Sequence, residues 1–373
     1  MSQEIKTVAP KRVLSGMRPT GRLHLGNYMG ALKNWVALQN EVLPDGSGSG
    51  ETAKYECYFF IADFHALTTD YADTSGLKQN VRDVILDFLA AGLDPKRSVI
   101  FRQSQVLPHF ALHNLLEMIT PLSWLERVPT YKDQQEQLRE KDLATIGFLG
   151  YPVLQSADIL IYQAEFVPVG QDQAAHVEIT REIARRFNHL YGSKRGAADA
   201  KSDKERLAEL EQEMDVREIL PEPNVLLTPS PKLPGTDGRK MSKSYGNTIL
   251  LSDPEADVRA KLKTMVTDPA RVRRTDPGNP EVCPVFDLHK VFSTTEIQAQ
   301  AAEGCRTAGI GCIQCKGWVA DAVVAELKPI QERRKYFEEH PAEVDGILSE
   351  GAQRANARAA VTMEQVYAAV GLE

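Results

Sequence analysis

No run of 18 apolar residues occurs anywhere in the 373-residue sequence, so nothing in it reads as a membrane span. The opening "MSQEIKTVAP" lacks the apolar stretch of a secretory leader, and a cytoplasmic protein is expected. Positive charge is not in excess either. The net charge of −7 argues against a general nucleic-acid coat protein. A specific nucleic-acid partner remains open, because such binding depends on local patches. "RVRR" at 271–274 and "ERRK" at 332–335 are two basic patches, although on charge alone each reads as a solvated face. There is no internal repeat and no low-complexity tract. Cysteine is scarce, five in all, yet four lie between residues 283 and 315. In a cytosolic chain that clustering points to a metal and away from disulfides.

What is present is an ordinary globular mix, 42% apolar and 25% charged, at a length that suggests two to three domains. "KRVLSG" at 11–16 reads as a strand. Residues 24–40 read as a helix with Leu25, Tyr28, Met29, Leu32, Trp35 and Val36 at spacings of three and four. Residues 43–52, "LPDGSGSGET", read as a flexible loop. "CYFFIADFHALT" at 57–68 is an apolar run of strand length. A helix over 76–92 stops at Gly92, and "SVIFRQSQV" reads as a further strand. This alternation predicts an α/β fold, a Rossmann-like parallel sheet that binds its ligand at the carboxyl ends of the strands. Further helices are expected over 111–127, 152–164 and 172–190, with a short strand at "EFVPVG". A charged helical insertion is expected near 193–217, and a Pro/Gly/Ser-rich loop spans 230–247. Beyond residue 254 the pattern is almost entirely helical.

Two short stretches carry chemistry. In "RPTGRLHLGNY" a strand, a Gly-containing turn and a helix start gather free backbone N–H groups and the positive end of a helix. Gly26 lets a flat base or a phosphate approach the backbone. His24 and Asn27 project from the first turn as neutral or cationic donors. Alone, the stretch is as consistent with a plain helix start. The second is "KMSKS" at 240–244, where Lys240 and Lys243 sit on a flexible loop able to close over a polyphosphate.

Together these resemble the two signatures of class I aminoacyl-tRNA synthetases, His24-Leu25-Gly26-Asn27 and Lys240–Ser244. "SGMRPTGRLHLGNYMGAL", "FIADFHALT", "YPVLQSADILIY", "VPVGQDQAAHVEITREIARRFN" and "LKPIQERR" extend the similarity to the bacterial tryptophanyl-tRNA synthetase family, from about residue 13 to the C-terminus. Asn27 in the fourth motif position is usual for that branch. Arg18 and Gln155 depart from its common residues and leave the pocket shape open.

The resemblance implies a catalytic domain over 11–253 and an all-helical, tRNA anticodon-binding domain over 254–373. ATP, with Mg2+, is expected on Arg18, Pro19, Thr20, Gly26, Asn27, Gly170, Gln171, Asp172, Lys240, Met241, Ser242, Lys243 and Ser244. His24, Asn27, Lys132, Lys240 and Lys243 are the expected catalytic groups. Tryptophan is expected on Asp158, Tyr151, His65 and Gln173, with Asp158 accepting the indole N–H. A carboxylate on an apolar helix face needs a donor, so a ligand without one would be rejected. Asp158 satisfied by a neighbouring element, Asp172 as a helix cap and Lys132 as an exposed lysine are the structural alternatives. Cys283, Cys305, Cys312 and Cys315 suit tetrahedral zinc or a [4Fe–4S] cluster. Similar spacing in a subset of the family favours the cluster, as a brace for the tRNA-binding surface. Cys57 reads as a small buried apolar residue. The expected partners are tRNA(Trp), ATP and L-tryptophan, in a homodimer. A tyrosyl-tRNA synthetase, or a non-catalytic metal-sensing binder of the same fold, is the competing reading.

Overall fold

The computed structural model describes residues 9–44, 51–128, 143–170, 174–192, 218–227 and 233–372. Lys132, Gln171, Asp172, Gln173, the segment 193–217 and the start of the 230–247 loop lie outside them.

β1 (Lys11–Met17) leads through a turn into α1 (Leu25–Asn27), a π-helical stretch at Tyr28–Leu32, and α2 (Lys33–Asn40). The helix expected over 24–40 is thus one run with a widened turn inside it. β2 (Val42–Pro44) and β3 (Glu51–Ala53) pair antiparallel where only a loop was expected. β4 (Tyr55–Ile61) stops early, and the rest of the 57–68 run is α3 (Asp63–Asp70). The break has a distant cause. Gln103 Oε1 accepts hydrogen bonds from Phe64 N at 3.1 Å and His65 N at 3.4 Å, satisfying first-turn donors that local sequence leaves open.

α4 (Leu77–Ala91) ends at Gly92 in the left-handed conformation, φ +110°, as the sequence suggests. β5 (Ser98–Arg102) follows, and the helix expected over 111–127 is broken before Pro121 into α5 (Pro108–Ile119) and α6 (Leu122–Glu126). Next come α7 (Ile146–Leu149), α8 (Tyr151–Leu160), β6 (Phe166–Val169) and α9 (Ala174–Tyr191). β7 (Asn224–Leu227) is an unforeseen four-residue edge strand. The remainder is helical: α10 (Glu255–Thr264), α11 (Pro284–Phe292), α12 (Thr295–Arg306), α13 (Cys312–Glu339) and α14 (Pro341–Val370).

The main sheet is parallel throughout, in the order β5–β4–β1–β6–β7. The chain runs outward from β1 to β5, then returns to the other side of β1 with β6. The crevice beyond the carboxyl ends of β1 and β6 is therefore the topological switch point, where open α/β sheets bind ligands.

Both faces of the sheet are covered, and β4 shows why its sequence is apolar at nearly every position. Tyr55, Cys57, Phe59 and Ile61 enter one core with α2, α4 and α13, while Tyr58 and Phe60 enter the other with α5, α8, α9 and α14. Cys57 is 1% exposed, as a core residue should be. α14 lies directly against β5. A Cβ on Gly351 would sit 1.8 Å from the Ile100 carbonyl oxygen, so only glycine allows this approach. Arg354 Nη1 donates to the carbonyls of Pro95 and Ser98 alongside. No helix among the described residues is long and apolar enough to cross a membrane.

Candidate active site

The turn after β1 and the helix start at Leu25 are held from three directions. His24 caps α1: its Nδ1 accepts from Asn27 N at 3.3 Å, and Asn27 Oδ1 accepts from His24 N at 3.1 Å. Leu25 N donates to Ile249 O, and Leu251 N donates to Leu23 O, so the segment just after "KMSKS" pairs with the segment around His24. Asp87 Oδ2 accepts Leu23 N at 2.7 Å. Asp87 is fully buried and is paired with Arg334 of "LKPIQERR", which also donates to Asp83 Oδ1 at 2.8 Å. Burial pushes the Asp87 carboxyl up to about 6, against Arg334 and the Leu23 N–H, which favour its charged form.

His24 is only 8% exposed, and burial, together with Lys243 and Lys240, pulls its pKa down to about 4. It is a neutral imidazole at pH 7. Of the neutral or cationic donor expected, burial favours the neutral one: with Nδ1 accepting, the proton resides on Nε2, which is the nitrogen left to donate. Gly26 is also required for a reason beyond ligand approach. A Cβ there would meet the His24 ring at 2.9 Å.

Lys243 Nζ donates to Thr20 O at 3.0 Å, and its pKa is lowered by burial against the pull of Asp87 and Asp83. The two motifs are thus in contact through the turn at 18–21. Asn247, 2% exposed, organises the loop from within: its Oδ1 accepts Ser242 N at 2.8 Å and its Nδ2 donates to Asp237 Oδ1 and Lys240 O. Met241 is buried, while Lys240 and Ser244 are exposed. Pro19 is buried and Thr20 exposed in the same turn.

Arg18 has a structural assignment. Its guanidinium donates to Thr69 Oγ1, to Asp70 Oδ2 at 3.2 Å and to Ala66 O at 3.5 Å, clamping the turn to the end of α3. Gly170 stands at the end of β6, across the switch point from this turn.

The second cluster lies on α8. Asp158 is 1% exposed and is surrounded by donors: His109 Nδ1 at 2.5 Å on Oδ1, His65 Nε2 at 2.9 Å on Oδ2, and Gln103 Nε2 at 2.8 and 2.9 Å on the two oxygens. Burial alone would raise its pKa, but His109 and His65 outweigh it and bring the carboxyl down to about 2. Two turns earlier on the same helix, Tyr151 lies 3.3 Å from His176 Nε2, and Gln155 Oε1 lies 2.9 Å from His176 Nδ1. Gln155 therefore orients His176 toward Tyr151. Sequence reasoning missed Gln103, His109, Asn247, Asp87 and Arg334. Gln103 directly follows β5, at the carboxyl end where a site residue was due.

These arrangements give a neutral imidazole and a lysine beside a helix start, and a buried carboxylate held toward its ionised, accepting form by the donors around it. A family model described as class I tRNA synthetases for W and Y matches residues 6–328. A tryptophan–tRNA ligase of Thermotoga maritima is 50% identical, covering 97% of this chain and 99% of that protein. One of Ralstonia nicotianae is 47% identical over 97% of this chain and 99% of its own length. The chain belongs to the class I tryptophanyl-tRNA synthetases. The Campylobacter jejuni tryptophanyl-tRNA synthetase, solved with ADP and tryptophan, superposes with a TM-score of 0.79 at 33% identity, over 97% of this chain and all of that one.

No disulfide joins the synthetase's four clustered cysteines. Burial and the proximity of Cys283, Cys305 and Cys312 push the Cys315 thiol up to about 12. Arg271 Nη1 lies 3.8 Å from Cys305 Sγ, and His289 Nε2 lies 3.3 Å from Cys315 Sγ. The donor chemistry suits a thiolate-bound group. Yet among the described residues no three His, Cys, Asp or Glu side chains are grouped so as to hold a metal ion. The cysteine spacing brought the sulfurs into one neighbourhood and not into a formed coordination shell.

Proposed function

We propose that the two clusters divide the work of a tryptophan–tRNA ligase between them. The turn at 18–27 and the "KMSKS" loop take ATP, with Mg2+ as for synthetases generally. Pro19, Thr20, Gly26, Asn27, Gly170, Gln171 and Asp172 surround the nucleoside and phosphates. Met241, Ser242 and Ser244 shape the loop. Arg18 supports this turn from α3. Asp158, Tyr151, His65 and Gln173 take tryptophan, with Asp158 accepting the indole N–H. The observation that carries the reading is the latch of Lys243 onto Thr20 beside the capped His24 turn, at the switch point of the sheet.

In the first step a tryptophan carboxylate oxygen attacks the α-phosphorus. A new O–P bond forms as the bond to pyrophosphate breaks. Charge grows on the transferring phosphate and the leaving oxygens. His24 Nε2–H, Lys240, Lys243 and Lys132 supply donors there, so catalysis is positioning plus charge stabilisation. In the second step a ribose hydroxyl at the tRNA terminus attacks the activated carbonyl, and AMP leaves.

ATP–pyrophosphate exchange with tryptophan and with tyrosine tests the assignment. Exchange with tryptophan alone is expected, and Asp158→Ala should weaken tryptophan while leaving ATP binding nearly intact. Exchange with tyrosine would favour the tyrosyl reading, and no exchange by a folded protein the non-catalytic one.

Residues 254–373 are proposed to read the tRNA anticodon. Cys283, Cys305, Cys312 and Cys315 would hold a [4Fe–4S] cluster there, zinc being the alternative, as a brace with no redox part in aminoacylation. Anaerobic absorption with iron, sulfide and zinc analysis decides between them, and metal-free protein with four titratable thiols would remove both. A homodimer is the expected assembly. It is supported by exposed Leu107, Met118 and Leu122 along α5 and α6, and light scattering at a monomer mass would remove it.

A further inference from the structure

Asp158 is the centre of a longer relay. His109 is fully buried on α5, with Nδ1 on Asp158 Oδ1 and Nε2 2.7 Å from the hydroxyl of Tyr162. Tyr162 is also fully buried, stacked on Tyr58. A carboxylate only accepts, so Nδ1 carries a proton, and Nε2 shares its hydrogen bond with the Tyr162 hydroxyl. Gln103, with no exposure, is fixed in orientation as well. Its Oε1 accepts the Phe64 and His65 N–H groups, so its Nε2 must face Asp158.

Three donors therefore surround the carboxylate, and they are not equivalent. His109 and Gln103 are sealed in the core, whereas the His65 side chain keeps 13% of its surface exposed. A carboxylate offers about four acceptor positions. Oδ1 is taken by His109 and Gln103, and Oδ2 by Gln103 and His65. Among these three described donors only His65 keeps any exposure, so an incoming N–H approaches from its side.

We infer that His109, backed by Tyr162, is a positioning residue for tryptophan specificity: with Gln103 it pins Asp158 and leaves the position on Oδ2 that His65 now fills as the one the indole N–H takes, displacing His65. The inference rests on the reading that Asp158 receives that proton. Held in this way the carboxylate is always an acceptor, and a ligand without the N–H leaves a buried charge underpaired. Without His109, burial favours the protonated acid, which can donate, and the rejection of such ligands weakens.

The test compares tryptophan with its benzothiophene analogue, in which sulfur replaces the N–H in a ring of similar shape. The ratio of kcat/KM values in pyrophosphate exchange is measured from pH 6 to pH 8. The full-length wild type should prefer tryptophan at least about a hundredfold, with a flat pH dependence of the ratio. His109→Ala should lower the ratio at least about tenfold, more at pH 6 than at pH 8, with the KM for ATP unchanged. Tyr162→Phe should lower it about threefold. His109→Asn, which keeps a donor at the Nδ1 position, should restore most of the preference. A wild type that does not discriminate removes the Asp158 reading itself. A wild type that discriminates, with ratio and pH profile unmoved in His109→Ala, overturns the inference. If His109→Ala does not fold, Tyr162→Phe decides, and an unchanged ratio overturns it.

Discussion

Replacing Arg334 with methionine tests how the C-terminal helices support the proposed ATP site. Arg334 is 3% exposed, and it faces Asp87, with no exposure, and Asp83, 7% exposed. Its fork donates to both, and its Nε reaches Glu338 at 2.9 Å. Methionine fills similar space but leaves two buried carboxylates with one counter-charge removed. Breaking a buried pair from one side costs about 3–5 kcal/mol. At about 2.1 cal/mol/K of unfolding entropy per residue, the 373 residues give roughly 0.8 kcal/mol per degree. A loss of about 4 kcal/mol then lowers Tm by about 5 °C. The expected result from differential scanning calorimetry is a shift of that size for Arg334→Met. Adding Asp87→Asn should recover part of it, because the amide removes the uncompensated charge. Arg334→Lys should fall between, since one ammonium cannot hold both carboxylates and Glu338. A second effect follows from Asp87, which holds the Leu23 N–H next to His24. Adenylation by Arg334→Met at low temperature, where the protein stays folded, should slow about tenfold or more, since small displacements of positioned groups are expensive. A Tm change below 1 °C, or additive effects of the Arg334 and Asp87 substitutions, would refute the reasoning.

His24 gives a pH prediction. Its folded pKa of about 4 lies below the ordinary 6.5. Between those values the folded chain binds fewer protons than the unfolded one, so stability falls as pH drops through the window and is complete above it. The full effect is about 3 kcal/mol, and His24→Asn should flatten the dependence of Tm on pH between 6.5 and 4.5. A ring NMR titration with its midpoint near 6.5 would contradict this. Asn247→Ala should unfasten the "KMSKS" loop, lowering the adenylation rate about tenfold while changing Tm by no more than about 2 °C; an unchanged rate would confine Asn247 to structure. Lys243→Ala should lower that rate about a hundredfold with little change in the KM for ATP, and a change in KM alone would exclude a transition-state role.

Local pattern made β1, α4 and the Gly92 stop legible, because each depends on periodicity and backbone freedom within a few residues. The two signature motifs were legible for the same reason, and family resemblance tied them to one site. What escaped depends on partners far along the chain. α3 starts where it does because Gln103, some forty residues later, accepts its first N–H groups. Nothing near Arg18 announces that it clamps Thr69 and Asp70. His24 reads as a potential cation until burial and two neighbouring lysines are seen to keep it neutral. β7 has four residues at a sheet edge, too few for an alternation to register. The reach from Asp158 to His109 and Tyr162 crosses two helices, and no spacing rule encodes it.

The contact of Gly351 with Ile100 sets a limit on how this synthetase can vary. With a Cβ 1.8 Å from a carbonyl oxygen, any other residue must move α14 off β5. Such a change touches no substrate, so the purified variant should turn over normally in the cold. In a growing cell the weakened seam shows up as a lower steady-state amount of protein, as opened chains are removed by proteases. Gly351→Ala is therefore suited to making a temperature-sensitive allele whose defect is supply and not chemistry.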